Sequence, residues 1–255
     1  MKNKEKVSII MPAYNSGKTI RDSIDSVIAQ SYSNWELLVI DDGSSDDTVA
    51  VVESIGLVNI KLLRNIYAKG AAGARKTGIE YSDSRFVAFL DSDDIWDDSK
   101  LEKQLDFMSV SGAAFVYSDY STFKDKASNI ITIVKTPKKI SYNDLIKSCM
   151  IGCLTVVLDR TAFDKFDFPI TPKEDYAFWL KLLKQVEYAY RVPDTSSSYR
   201  LSSNSLSGKK IKEIRKQWIV VYCIEKTPLF KSLYYMACYA LSGVIKHYVS
   251  ARVLK

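Results

Sequence analysis

Histidine is nearly missing from the sequence, which has only His247 in 255 residues. A Ser-His-Asp triad needs a histidine next to its nucleophile, and zinc sites rely on histidine and cysteine ligands. Both kinds of site are therefore nearly excluded. A metal site in this chain would consist mainly of oxygen ligands, and such ligands favour Mg²⁺ or Mn²⁺.

Cysteine is also scarce, with four residues at positions 149, 153, 223 and 238. They show neither CxxC spacing nor a disulfide framework, which indicates a reducing cytosol. The first residues lack the long apolar core of a signal peptide, so we expect no secretory leader. The uncharged stretch between Lys231 and Lys246 is too short to cross a bilayer, which needs about 20 apolar residues.

Apolar residues are abundant, at 47% of the chain, so a large core can form. The net charge of +6 is modest, and the strongest basic run covers residues 209–216. Such a run usually forms a solvated helix face, although it is also compatible with a contact to nucleic acid or to an anionic membrane.

Short apolar runs alternate with helical patterns, which predicts an α/β fold with a mainly parallel central sheet and flanking helices. The predicted strands cover residues 7–11, 37–40, 60–63, 86–90, 114–117, 130–134, 154–158, 188–192 and 198–201. The predicted helices cover residues 20–28, 48–54, 71–81, 101–108, 142–149 and 174–184.

The C-terminal part has a different character. Residues 209–223 and 229–249 are predicted helices, rich in aromatic and apolar residues and interleaved with lysines. We expect a main body, residues 1–208, and a helical extension, residues 209–255. A basic amphipathic helix in a membrane interface fits this composition. Packing of the helices on the body, or a contact between two copies of the chain, fits it about equally well.

Segment 86–96 gives the strongest indication of function. An apolar run ends there in three carboxylates, Asp91, Asp93 and Asp94, which a hydrophobic core would not accept unpaired. Alternate side chains of an extended segment point the same way, so Asp91 and Asp93 can converge on a hard divalent cation and, through it, on a diphosphate. An aspartate-rich turn after a strand is the alternative interpretation.

Two more segments follow predicted strands, where α/β sheets bind their ligands. Residues 11–15 combine a proline with small residues, so their backbone is open enough to lie along a nucleotide. Asp41 and Asp42 precede Gly43, and one of these carboxylates can accept a hydrogen bond from the imide N–H of uracil. A local Asx turn explains the same residues.

Charged residues mark two predicted helix starts. Lys69 and Arg75 accompany several glycines and can donate charge-assisted hydrogen bonds to phosphate, although their segment is not a P-loop. Glu174 and Asp175 begin another helix, where acidic residues commonly complement the helix dipole. A carboxylate there would stay ionised at neutral pH, as a general base must. Trp179, one turn further on, could supply an apolar wall for a sugar ring.

Taken together, these segments resemble the family 2 glycosyltransferases, a large inverting group with the Rossmann-like GT-A fold. The resemblance covers about residues 5–208 and keeps the order of the family's motifs. The matching segments are residues 7–15, 26–32, 39–48, 73–75, 89–94, 174–176 and 199–200. Each of them alone is a weak signal, but this many in the same order are not expected by chance.

The resemblance implies a metal-dependent inverting hexosyltransferase that uses a UDP-sugar and Mn²⁺ or Mg²⁺. Asp42 would bind the uracil, and Arg75 would lie near the base and the phosphates. Asp91 and Asp93 match the family's DxD motif and would hold the metal, and Asp175 matches the catalytic base. The other residues assigned to the donor site are Pro12, Ala13, Tyr14, Asn15, Asp41, Lys69 and Ser92, and those assigned to the sugars are Glu174, Trp179 and Arg200.

The sequence departs from the family's pattern at two positions. Lys76 stands where the family often has asparagine, and Ser202 where many members have histidine after a Tyr-Arg pair. The second departure puts in doubt a histidine ligand or phosphate contact from that loop, for which Arg200 could compensate.

Residues 204–207 and 217–218 resemble the subgroup that builds bacterial surface polysaccharides such as O-antigen, capsule or teichuronic acid. The implied acceptor is a saccharide on undecaprenyl diphosphate. The implied location is the cytoplasmic face of the inner membrane, where the C-terminal helices would bind anionic lipid. A homodimer is compatible with this assignment, and no nucleic-acid partner is implied.

Two other functions share some of these features. A sugar nucleotidyltransferase would have a similar sheet and acidic metal site, but it would normally show a glycine-rich loop after the first strand, where this chain has residues 11–15. A non-catalytic scaffold of a polysaccharide assembly would use the basic helices and would not need Asp93 or Asp175.

Overall fold

The structure, a computed structural model, describes residues 5–201 and 210–253. In these residues one mixed sheet has helices packed on both of its faces. Its strands are β1 (Val7–Ala13), β2 (Trp35–Asp41), β3 (Ile60–Arg64), β4 (Phe86–Phe89), β5 (Ile95–Trp96), β6 (Phe115–Phe123), β7 (Ile130–Val134), β8 (Lys139–Ile140), β9 (Val157–Asp159) and β10 (Ala189–Arg200). The helices are α1 (Ile20–Ile28), α2 (Thr48–Glu53), α3 (Ala71–Tyr81), α4 (Lys100–Ser111), α5 (Tyr142–Leu145), α6 (Glu174–Leu182), α7 (Lys210–Trp218) and α8 (Leu229–Val253).

Alternate residues of β1 and β2 enter two separate hydrophobic cores. Ile10 and Leu38 face the core that includes residues of α3 and α6. Ile9 and Leu37 face the core that includes residues of α1, α2 and α4. This alternation is the two-residue period of a strand, and helices must cover both faces because both carry apolar side chains.

The sheet has the strand order β3-β2-β1-β4-β9-β6-β10-β5. Strands β3, β2, β1 and β4 are parallel, so their carboxyl ends lie at one edge. Beyond β4 the directions mix, because β9 is antiparallel to both β4 and β6, whereas β10 is parallel to β6. Strand β10 brings Arg200 beside the turn that follows β4.

Two strands predicted at 188–192 and 198–201 are in fact one, β10. Its register against β6 shifts on both sides of Thr195. Such irregularities interrupt the apolar alternation that marks a strand in sequence, so the pattern wrongly indicated a gap. The two-residue strands β5 and β8 were not predicted, because nothing but pairing with β10 defines them.

The strand predicted at 154–158 starts too early. Cys153–Thr155 form a 3₁₀ turn, in which the Thr155 hydroxyl donates to the carbonyl of Gly152 at 2.7 Å. Only Val157–Asp159 pair in the sheet. The helix predicted over 142–149 is likewise a short one, Tyr142–Leu145, which a capping box at Ser141 begins.

The C-terminal helices pack on the body along one side. A π-helical turn, Ile219–Ile224, continues α7, and Gln217, Val220 and Val221 are fully buried. The two valines belong to the same core as α6. Among the described residues, no helix is long and apolar enough to span a bilayer. Ser202 and the segment 204–207 lie outside the described residues.

Helix α8 also presents an apolar face to solvent. The exposed residues of this face are Leu229, Phe230, Leu233, Tyr234 and Leu241. Two exposed lysines, Lys226 and Lys231, lie at its beginning. We call this set the α8 face.

Candidate active site

The carboxyl ends of β1, β2 and β4 open onto a cleft of about 260 Å³. Ligands of open α/β sheets bind beyond the carboxyl ends of the strands, which makes this cleft the candidate site. Its lining residues are Pro12, Ala13, Tyr14, Asp42, Ala71, Ala74, Arg75, Asp91, Ser92, Asp93 and Tyr199. The structure therefore brings together most of the residues that the sequence assigned to the donor.

Asp42 is fixed in the cleft by two hydrogen bonds. The side-chain amide of Asn65 donates to Oδ1 at 2.6 Å, and the backbone N–H of Gly70 donates to Oδ2 at 2.7 Å. Each carboxylate oxygen has more than one acceptor position, so a ligand N–H can still bind. The carboxylate is thus held in one orientation.

Asp41 has a different role from its neighbour. Its carboxylate accepts hydrogen bonds from the backbone amides of Gly43 and Ser44, at 3.2 and 3.1 Å. These bonds form the local turn that was the alternative interpretation. Asp41 lines a separate groove, on the outer side of the loop, and not the main cleft.

Two other predicted donor-site residues lie at the rim of the cleft. Asn15 has a left-handed backbone (φ 49°), and its side-chain oxygen accepts from the backbone N–H of Ser45 at 2.8 Å, which joins the loops after β1 and β2. Lys69 lies 4.0 Å from the centre of the Tyr14 ring. This cation–π contact places a positive charge next to the half-exposed tyrosine that lines the cleft.

Arg75 links the two acidic parts of the site. Its guanidinium contacts Asp91 at 2.5 Å and Glu174 at 2.7 Å and is only 4% exposed. Burial by itself would lower the pKa of Arg75, but Asp91 and the other nearby acids raise it well above the usual value. The arginine therefore stays charged and ties the turn after β4 to the start of α6. Glu174, assigned to the sugars from sequence, is engaged by this arginine.

Arg200 stabilises the acidic turn through contacts with Asp93 and Asp94. Its backbone N–H donates to the buried Asp94 carboxylate at 2.8 Å, and its Nε donates to the backbone carbonyl of Asp93 at 2.7 Å. Its remaining nitrogens contact Asp125 and Asp22. Arg200 lies outside the cleft lining, as do Glu174 and Asp175, and its contacts support the acidic turn. The sugar contact of Arg200 stays a prediction.

Ser92 connects the acidic turn to the loop after β1. Its hydroxyl lies 2.7 Å from that of Ser16, and its carbonyl accepts from the hydroxyl of Thr19 at 2.9 Å. These contacts leave the flanking side chains of Asp91 and Asp93 in the cleft.

The carboxylate oxygens of this turn are suitable ligands for a hard divalent cation. Asp91 and Asp93 present carboxylate oxygens to one cleft, and Mg²⁺ is commonly held by one or two carboxylates together with substrate phosphates. Burial and the charge of Asp91 raise the pKa of Asp93, and the charge of Arg200 opposes this shift. Among the described residues no group of three or more His, Cys, Asp or Glu side chains could hold a metal. A cation would therefore need ligand oxygens from a diphosphate or water.

Asp175 lies in the first turn of α6, half-buried and close to Arg75 and Glu174. Burial raises the pKa of its carboxyl group, Arg75 opposes this shift, and Glu174 adds to it. Lys173, the residue before the helix, has a left-handed backbone (φ 53°). A carboxylate that is partly withdrawn from water but kept near a guanidinium can accept a proton from a hydroxyl.

The prediction that Trp179 forms a wall for a sugar is wrong. Its side chain is fully buried and packs against Phe89, Phe115 and Phe178, with ring centroids 5.4–5.6 Å apart. The residues of α6 from 176 to 180 are buried, so this helix enters the core directly after its first turn.

Tyr199, together with Tyr14, is an aromatic residue that does line the cleft. It is 43% exposed and forms an edge-to-face pair with Tyr120, with ring centroids 6.5 Å apart. Burial and the neighbouring aspartates, Asp94 foremost, raise the pKa of Tyr199 to about 12. From the sequence, only Arg200 of the Tyr-Arg pair was assigned to the site. The position of Tyr199 near the end of a predicted strand was the signal that could have indicated its place in the cleft.

Comparison with known proteins agrees with this geometry. The model of the family "Glycosyl transferase family 2" matches residues 8–165. The chain is 48% identical over 94% of its length to the Escherichia coli UDP-Glc:α-D-GlcNAc-diphosphoundecaprenol β-1,3-glucosyltransferase WfgD, of which it covers 94%. It is 38% identical to WfaP, an E. coli protein with the same activity in its name, over 97% of this chain and 98% of that one.

The fold is also known from solved structures. S. aureus TarS (residues 1–349) in complex with UDP-GlcNAc superimposes with a TM-score of 0.67 at 19% identity, covering 85% of this chain and 66% of that one. This likeness confirms the predicted α/β architecture with the GT-A fold, and the family match together with two relatives of nearly full coverage confirms the predicted membership. The chain belongs to glycosyl transferase family 2 and is a glycosyltransferase.

Proposed function

We propose that this glycosyltransferase moves glucose from UDP-glucose to an α-D-GlcNAc residue on undecaprenyl diphosphate, forming a β-1,3 linkage. The observation that carries the proposal is the 48% identity to WfgD, whose name states this reaction, over 94% of both chains. The product would be an early intermediate of a bacterial surface polysaccharide. The nucleotidyltransferase and scaffold alternatives have no such support.

The residues of the cleft, together with the neighbouring Asp175, have complementary roles in this reaction. Asp42 would accept a hydrogen bond from the uracil imide N–H, and Asp91 and Asp93 would hold a Mn²⁺ or Mg²⁺ ion. The bound cation would stabilise the negative charge of the leaving UDP. Asp175 takes the proton from the acceptor hydroxyl as that oxygen attacks the anomeric carbon. A single displacement inverts this carbon, which gives a β-linkage from an α-linked donor.

A donor and acceptor screen tests the proposal. The purified chain is incubated with α-D-GlcNAc-diphosphate on a short lipid, with Mn²⁺ and with UDP-Glc, UDP-Gal, UDP-GlcNAc or UDP-GalNAc. We expect UDP-Glc to give the largest amount of disaccharide, with a β-1,3 linkage by NMR. A larger amount of product from another donor than from UDP-Glc would exclude glucose as the preferred sugar, and an α-linked product would exclude the single displacement. Full activity in a chelator would exclude the metal.

We also propose that residues 1–208 form the catalytic domain and that residues 209–255 hold it at the cytoplasmic face of the membrane. The support is the α8 face, in which exposed apolar residues adjoin Lys226 and Lys231. Apolar side chains with neighbouring lysines are typical of helices that lie in an anionic interface. A lipid-linked acceptor, as in the name of WfgD, would be presented at that surface.

Vesicle flotation tests this location. The chain should float with vesicles that contain anionic lipid and stay behind with neutral ones. The double variant Phe230→Ser, Leu233→Ser should lose flotation but keep its melting temperature, because both side chains are exposed. Flotation unchanged by these substitutions would refute the role of the α8 face. Dimers that dissociate in the same variant would assign the face to a homodimer contact.

A further inference from the structure

We infer that Gln217 and Lys173 are positioning residues for Asp175, so that the C-terminal helices also support the geometry of the catalytic domain. The inference rests on the proposed role of Asp175 as base. It concerns residues that lie outside the cleft and outside the family's matched region, residues 8–165.

Lys173 is tied to both C-terminal helices. Its ammonium group donates to the side-chain carbonyl of Gln217 at 3.0 Å and to the hydroxyl of Tyr239 at 3.0 Å. It also lies 4.4 Å from the centre of the Tyr239 ring and 3.8 Å from Glu213. The lysine side chain is only 12% exposed, so these contacts take the place of water.

The backbone of Lys173 is what these contacts hold in place. Lysine rarely adopts a left-handed conformation, and its φ of 53° is therefore retained only where the surroundings require it. The carbonyl of Lys173 accepts the first hydrogen bond of α6, from Ala177 at 2.9 Å. A change at Lys173 would alter the direction in which α6 begins, and Asp175 lies two residues further on.

Gln217 also holds the other side of Asp175. Its Nε2 donates to the hydroxyl of Tyr176 at 2.9 Å, and that hydroxyl donates to the carbonyl of Ile146 at 3.0 Å. Gln217 and Tyr176 are fully buried. One amide thus reaches from Lys173 to Tyr176, the residues on either side of the Glu174–Asp175 pair.

The position of a catalytic base must be accurate, since a displacement of about 1 Å can cost about 10²-fold in rate. Arg75 reaches Glu174 from the cleft, whereas Gln217 and Lys173 fix the backbone from the opposite side. The proposed donor-binding residues are Asp42, Asp91 and Asp93. Donor binding should therefore not depend on the side-chain amide of Gln217.

The chain contains a matched control at the far end of α6. Glu225, directly after the π-helical turn, accepts from Lys184 at 2.6 Å and from the hydroxyl of Tyr142 at 2.5 Å. Its side chain is 4% exposed. Glu225→Gln removes the charge pair and so loosens the same C-terminal segment, while the hydrogen bonds of Gln217 to Lys173 and Tyr176 stay in place.

The experiment compares Gln217→Leu with Glu225→Gln, and uses Tyr239→Phe as a milder variant that keeps the ring. Melting temperature, UDP affinity, kcat and the pH profile are measured for each protein. For Gln217→Leu we expect kcat to fall about tenfold or more while the affinity for UDP is unchanged. The acid limb of its pH–kcat profile should be displaced from that of the unmodified chain. Tyr239→Phe should show a smaller loss in kcat, and Gln217→Glu, which can still accept from Lys173, should recover part of the rate. Glu225→Gln should lower the melting temperature without moving the acid limb.

Hydrogen exchange provides a readout that does not depend on the acceptor. The amides of residues 176–178 should exchange faster in Gln217→Leu than in Glu225→Gln at a similar loss of stability. Equal exchange and equal kcat in the two variants would overturn the inference. If the unmodified chain transfers no sugar, the proposed function fails, and the exchange result still decides whether Gln217 holds the start of α6.

Discussion

At the scale of single residues, charge is distributed unevenly over the cleft. Arg75 compensates Asp91 and Glu174, whereas burial and like charges raise the pKa values of Asp93 and Asp175. Asp93 lines the cleft, and Asp175 lies beside it, close to Arg75. Perturbed carboxyl groups that lie near one another are typical of active sites. The two raised pKa values belong to the residues with the proposed metal and proton-transfer roles.

Asp175 gives a prediction on pH. A general base acts in its ionised form, and the raised pKa means that Asp175 becomes protonated at a higher pH than a free aspartate. Transfer should therefore be lost as pH falls through this raised pKa and be fully retained above it. Asp175→Asn should lower kcat by about 10²–10⁴-fold while UDP still binds, as measured by initial rates and calorimetry. Near-normal transfer by this variant would remove Asp175 from the mechanism.

Adjacent aspartates give a matched pair of variants. Asp42 lines the cleft, whereas Asp41 holds its own loop in a turn. Asp42→Ala should weaken UDP binding by about 1.5–3 kcal/mol, roughly the strength of a hydrogen bond to a charged group. Asp41→Asn keeps an acceptor for the turn and should bind UDP nearly as well as the unmodified chain. Equal affinities in calorimetric titrations would mean that Asp42 does not contact the nucleotide.

At the scale of elements, Gly78 determines how closely α3 packs on the sheet. A Cβ added to Gly78 would lie 2.7 Å from Ile10 and 2.9 Å from Ile40, so the helix touches the sheet with its backbone. Arg75 lies almost one turn before Gly78 and depends on this close approach to reach the cleft.

Gly78→Ala should therefore destabilise the fold by about 1–3 kcal/mol through overpacking. It should also reduce transfer by more than the loss of folded protein explains, because α3 and Arg75 move outward together. Chemical denaturation and kcat/KM measure the two effects. The exposed Glu80 on the same helix is the control, and Glu80→Ala should change stability by less than about 0.5 kcal/mol. A fully stable Gly78→Ala protein would contradict the close approach.

The elements from β1 to β4 could be predicted from sequence within about two residues, because their apolar periods are regular. Helix α4 and strand β6 were predicted too short, since they continue to Ser111 and Phe123, beyond the predicted ends at 108 and 117. Strands β5 and β8 could not, since they exist only through pairing with β10. The cleft residues after β1, β2 and β4 were predictable because parallel strands end at a common edge. The burial of Trp179 was not, because the helical period does not tell how deeply α6 enters the core.

At the scale of the whole molecule, the C-terminal helices are part of the core as well as a surface. Val220 and Val221 are fully buried in the core of α6, while the α8 face is open to solvent. The body and the extension should therefore unfold together.

Deletion of residues 209–255 should lower stability by at least about 3 kcal/mol, since burying one valine contributes about 1.5 kcal/mol or more. Thermal unfolding followed by circular dichroism should show one transition in the full chain and a lower melting temperature after deletion. An unchanged melting temperature would mean that the body folds without the extension. It would indicate that residues 209–255 serve only to attach the chain to the membrane.

The brace at Arg200 has a consequence for the order of folding. Its Nε contacts the carbonyl of Asp93 across 107 residues of sequence. Contacts so distant in sequence form late, because the closure of a long loop must be completed before they stabilise the chain. A growing polypeptide on the ribosome therefore contains all three acidic side chains of the turn long before β10 has been synthesised. The chain should acquire its affinity for UDP abruptly, once Arg200 has left the exit tunnel and β10 has inserted beside β6.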